Sequence, residues 1–154
     1  MTEQTGLKAT LQRDLTDAMR ARDKVRAGTL RMALTAVTTE EVAGTTQREL
    51  SDEDVLRVIT KEAKKRREAA EAYTGADRPE LAAQEVAELA VLEAYLPVQL
   101  SDAELATMAG EAVAETGATD LRAMGQVMKV LQPRIAGRAE GGRVAAAVKQ
   151  ALSA

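Results

Sequence analysis

Four cations surround three glycines near the end of the chain: Arg134, Arg138, Arg143 and Lys149 around Gly137, Gly141 and Gly142. The chemistry open to such a set is anion binding. Glycine lets the backbone turn with its N–H groups exposed. Guanidinium groups grip phosphate oxygens in a two-pronged fork. A helix starting at the last glycines adds the partial positive charge of its N-terminus. The stretch is not a nucleotide P-loop, because no Gly-x-x-x-x-Gly-Lys-Ser/Thr run exists and no strand precedes it. The plainer alternative is a helix–helix turn that needs glycine for its geometry alone.

A second basic run is Lys61, Lys64, Lys65, Arg66 and Arg67. On a helix, Arg57, Lys61 and Lys64 project opposite the stripe of Val55, Ile59 and Ala63. Such a ridge can follow a nucleic-acid backbone, with Lys64 and Arg67 first to extend the surface of the glycine loop. The alternative is a solvated face laced with Glu68 and Glu71.

Charges also fall on apolar stripes. Glu62 and Arg66 share a face with Val55, Ile59 and Tyr73, while Glu85 and Glu88 share one with Leu81, Leu89 and Leu92. Glu41 extends the stripe of Leu34 and Val37. Ionised groups seldom face a core unpaired. The expectation is that one or more of these carboxylates neutralise Arg66 in a structural ion pair. A metal site of the di-iron kind uses Glu-x-x-His, and the chain has no His, so no metal or other cofactor is expected.

Composition narrows the chemistry further. Without Cys or His, disulfides, thiolate sites and every Ser-His or Cys-His arrangement are excluded. Phe and Trp are absent, and Tyr73 and Tyr95 are the only aromatic residues. A core built from Leu, Val, Met and Ala suits packed helices better than sheets. So few rings argue against base stacking and single-strand recognition. No apolar run approaches the roughly 20 residues of a membrane helix. The N-terminus lacks a basic and then apolar signal, so a cytoplasmic protein with no membrane contact is expected. The net charge of −3 is unevenly placed, since residues 119–154 hold six cations against Asp120 and Glu140. A polyanion surface, if present, is therefore local.

Periodicity and breakers predict seven helices and no strand. The first covers about 7–22, the second 24–43, the third 52–74 after an N-cap at Ser51, and the fourth 79–96 from Pro79. Ser101 and Glu104 form a capping box for a fifth helix that Gly117 ends. Thr119 or Asp120 caps a sixth, in which Pro133 makes either a kink or a stop, and a seventh closes the chain. The chain thus reads as all-α, with a boundary at Pro97. A four-helix, bundle-like domain spans 1–97 and a small three-helix domain spans 98–154.

Several motifs taken together resemble the YqeY proteins. They are Leu30-Arg31-Met32, Glu93-Ala94-Tyr95-Leu96-Pro97, Met124-Gly125-Gln126-Val127-Met128, Pro133, Gly137-Arg138-Ala139-Glu140-Gly141 and Val148-Lys149-Gln150-Ala151-Leu152. The stand-alone YqeY proteins are in turn similar to the C-terminal tail of GatB, a subunit of the glutamine-dependent tRNA amidotransferase. One departure is Glu140, where the family usually has Asp, a better helix N-cap. The resemblance implies two helical parts and a link to tRNA. It implies a carbon–nitrogen ligase label by similarity, yet no amidase nucleophile set or ATP loop is visible, and catalysis by this chain alone is not expected. The expected function is binding of tRNA or another structured RNA. The contacts would be Arg134, Arg138, Arg143 and Lys149 with backbone N–H groups near Gly137 and Gly141, extended by Lys64 and Arg67. The alternative is a protein-binding accessory whose partners are amidotransferase subunits.

Overall fold

A computed structural model describes residues 6–153. Those residues form seven α-helices and one 3-10 turn, with no strand among them. The chain divides into two compact units, one ending at Leu96 and one beginning at Pro97.

The N-terminal unit holds α1 (Leu7–Arg20), α2 (Lys24–Glu41), α3 (Asp52–Gly75) and α4 (Pro79–Glu93). Local chemistry sets the ends. Asp23 caps α2 by accepting from the Arg26 N–H, and Ser51 caps α3 by accepting from the Asp54 N–H. Pro79 occupies the first turn of α4, where a missing N–H costs nothing. Three helices end earlier than the sequence suggests, α2 by two residues at Glu41. α1 stops at Arg20 because Arg22 takes a left-handed φ of 58°. α4 stops at Glu93, where the N–H groups of Tyr95 and Leu96 turn back to the carbonyls of Leu92 and Glu93. Pro97 ahead also disfavours helix at Leu96.

α1 packs on α2 and α3 on α4, while α2 touches both α3 and α4. Leu11, Leu30, Val37, Val55, Ile59 and Leu92 are fully buried at the centre. Each such side chain contributes about 1.5–3 kcal/mol. The buried carboxylate of Glu41 lies 2.8 Å from Lys8 of α1. It therefore does not join Arg66 as the stripe suggested. α1 lies along α2 and brings a closer cation.

Tyr95 fastens the end of this unit. Its hydroxyl donates to Asp14 Oδ2 and accepts from Arg26 Nη2 at 3.3 Å. Burial first, and then the Asp14 carboxylate, push its pKa well above the ordinary value. A raised folded pKa means that the stabilisation is complete below the unfolded value of about 10 and fades as pH rises through the folded one. At about pH 11 the folded protein is expected to show less tyrosinate absorbance than the chain in denaturant. Tyr95→Phe should remove most of that difference.

The C-terminal unit holds α5 (Asp102–Thr116), a 3-10 turn at Leu121–Ala123, α6 (Met124–Ile135) and α7 (Gly141–Ser153). Ser101 and Glu104 form a complete capping box, and Gly117 ends α5 in the left-handed region at φ 69°. Asp120 caps the 3-10 turn through the Arg122 N–H. Ala109 and Ala112 are fully buried and let α5 approach Val127, Leu131, Val144 and Val148 closely. Pro133 sits inside α6 without stopping it, and the helix runs on to Ile135.

The residue that ends α6 is Ala136, at φ 49°, followed by Gly137 at φ 79°. An L-residue with a Cβ pays about 1–2 kcal/mol in this region. Ala136→Gly should therefore raise stability by about 1 kcal/mol once the extra unfolded-state freedom of glycine is subtracted. Gly137→Ala should lower it by a similar amount, both read from the urea midpoint.

Candidate nucleic-acid interface

The glycine loop between α6 and α7 is tied down by the segment before α5. The Leu100 N–H donates to the Arg138 carbonyl at 2.7 Å. The Gln99 side chain donates to the carbonyls of Pro97 at 2.7 Å and Gly137 at 3.3 Å. Arg143 Nη2 donates back to the Leu100 carbonyl at 2.9 Å and to Asp102 Oδ1 at 2.7 Å. The result is a polar clasp of residues 97–102 on residues 137–143.

The four cations of the loop therefore differ in what they have left to offer. Arg138 folds back on its own helix, with Nε donating to the Ile135 carbonyl and Nη2 to that of Arg134. It satisfies the orphan carbonyls at the end of α6. Arg134 lies 2.6 Å from Glu115 of α5, yet its side chain stays 43% exposed. Arg143 is one-third exposed beside Asp102. Lys149 is exposed and has no ion pair among the described residues. Each arginine carries five N–H donors, so the internal contacts use only part of its capacity.

Gly141 opens α7, and both Gly141 and Gly142 are exposed. Glu140 supplies the first helical carbonyl to the Val144 N–H. On the other side of the clasp, hydrogen bonds to the Ser101 hydroxyl and backbone hold the Glu104 carboxyl below the usual range, with a smaller contribution from the Arg138 charge. The loop is thus a cationic lip with carboxylates close by.

Two further cations of this unit were not among the expected contacts. Arg122 and Lys129 are exposed and have no ion pair among the described residues. The signal was legible for Lys129 and Lys149, because neither has a carboxylate three or four residues away on its helix.

In the N-terminal unit, Lys64 lies 3.9 Å from Glu68 and Arg67 lies 3.4 Å from Glu93 of α4, and both cations are partly exposed. Arg57 bridges Glu53 and Asp54. Burial raises the Asp54 pKa, but hydrogen bonds from Arg48 and Ser51 outweigh it and leave the carboxyl below its ordinary value.

Arg66 is buried. Its Nη1 donates to Glu62 Oε2 at 2.9 Å. Its Nε lies 3.3 Å from Glu88 Oε2, within ion-pair distance, but off the N–H axis and without a hydrogen-bond partner. Nη2 meets the sulfur of Met32 at 3.5 Å. Glu85 is half-buried on α4 and does not pair with Arg66. Among the described residues no group of three or more Asp or Glu is arranged to hold a metal ion, and no helix is long and apolar enough to cross a membrane.

Over 97 residues the chain is 35% identical to an uncharacterized protein of Schizosaccharomyces pombe (strain 972 / ATCC 24843), a match covering 62% of this chain and 76% of that protein. The family model described as "Yqey-like protein" matches residues 8–152. The chain belongs to the YqeY-like family.

Proposed function

We propose that the C-terminal unit binds the sugar–phosphate backbone of a structured RNA, tRNA first, without catalysing a reaction on it. The observation that carries this reading is a set of exposed cations with no ion pair among the described residues, in a unit whose six cations and six carboxylates balance over residues 98–154. Glu115 and Asp102 engage Arg134 and Arg143, whereas Arg122, Lys129 and Lys149 remain exposed with no ion pair among the described residues. The exposed N-terminal turn of α7 at Gly141 and Gly142 adds backbone donors and the positive end of a helix dipole. Recognition by backbone and shape fits a chain with two aromatic residues.

The test is tRNA binding by the full chain across a salt series. Each phosphate contact contributes about 0.7–0.9 to the slope of log K against log salt. Lys129→Ala with Lys149→Ala should therefore flatten the slope by about 1.5 and weaken binding several-fold at low salt, with little change in stability. Arg138→Ala with Arg143→Ala should also weaken binding, but this pair loosens the clasp, so its melting must be followed in parallel. Unchanged affinity and slope in the Lys129/Lys149 variant would sink the reading. Exposed Val98 and Leu121 favour a second reading, a protein-binding accessory of the amidotransferase. That reading predicts association that salt does not weaken.

A further inference from the structure

A groove of about 580 Å³ opens between α2 and α3. Met32, Ala36 and Val58 form an apolar floor, while Arg31 and Lys61 stand over it from opposite helices. Neither cation has an ion pair among the described residues. Lys65 joins them at the groove, held 3.2 Å from Glu62. Arg66 is buried behind Met32 and Glu62. Its Nε has no hydrogen-bond partner, and its Nη2 has only the Met32 sulfur, a weak acceptor.

We propose that this groove binds a small organic phosphate: a phosphate monoester on an apolar or planar body of about nucleotide size. The volume lies in the range of small-molecule sites, about 300–1,000 Å³, and exceeds what a bare anion needs. The cations suit a phosphate dianion, and the floor suits a ring or an aliphatic body. Two carboxylates also line the groove. Lys65 and Arg66 neutralise Glu62. Glu40 stands 4.0 Å from Arg48 and can accept from hydroxyls on the ligand body. The N-terminal groove shares no residue with the RNA reading of the C-terminal unit, so the two stand or fall separately.

The experiment is an amide-resolved NMR titration of the full chain with adenosine monophosphate, beside inorganic phosphate and adenosine. The expected result is saturable shifts at about millimolar ligand, confined to residues 31–40 and 58–66. Each half-ligand alone should bind about tenfold more weakly or worse. Arg31→Ala with Lys61→Ala should weaken adenosine monophosphate about tenfold or more and leave the urea midpoint unchanged, because both side chains are exposed and unpaired. Three results would overturn the proposal. They are no saturation by about 10 mM, inorganic phosphate binding as well as the nucleotide, or a double variant that keeps its nucleotide response.

Discussion

Arg66→Ala is expected to destabilise the N-terminal unit by about 3–5 kcal/mol, the usual result of removing one member of a buried ion pair. The guanidinium lies between Glu62 of its own helix and Glu88 of α4, with side-chain exposures of 8%, 11% and 17%. Its loss leaves two poorly hydrated carboxylates facing an apolar core, with Lys65 alone still near Glu62. Domain stabilities are about 5–15 kcal/mol in total, so a large share of this unit would disappear. A discriminating control is the triple change Glu62→Gln, Arg66→Met and Glu88→Gln. It removes the charges together and should recover most of the loss. Urea unfolding with equal slopes across the series measures both. If Arg66→Ala costs under about 1 kcal/mol, the pair is solvated and the burial argument fails.

Leu131→Ala is expected to cost the C-terminal unit about 2–5 kcal/mol. Leu131 is fully buried among Leu105, Ala109, Ala112, Val127, Val144 and Val148. Few of these neighbours are large, and helices already in contact through alanines cannot close far into the space left behind. A unit of about 58 residues, from Pro97 to the end, has a small core to draw on. Loss of the helical signal belonging to α5–α7 at room temperature is the expected phenotype. Leu131→Met should be tolerated to within about 1.5 kcal/mol, which separates loss of volume from loss of shape.

Much of the helical plan could be read directly from the sequence, because local residues decide it. Ser51, Pro79, Ser101 and Gly117 act within one turn of themselves, and each stands at the helix end that its chemistry suggests. The ends that could not be read were those set by backbone torsion. Nothing about Arg22 or Ala136 as residue types announces a positive φ.

The glycine loop shows a deeper limit. Its arginines were legible as cations, but the loop is closed by contacts about 40 residues apart: Arg143 meets Asp102, and Gln99 reaches Gly137. Charge counting within a segment cannot see such closures. Likewise, periodicity placed Glu41 on the buried face, and only packing could show that Lys8, 33 residues away, takes it. What survives on the surface, Lys129 and Lys149, is what no nearby carboxylate could claim.

The threonines of α2 have one more effect. Thr29, Thr35, Thr38 and Thr39 each donate their hydroxyl to the carbonyl four residues earlier. With those protons spent inside the helix, Thr35 and Thr39 turn a greasier side outward than their formulae suggest. Valine at either site would be nearly silent to a visiting ring, and whatever settles against that wall meets methyl groups before it meets oxygen.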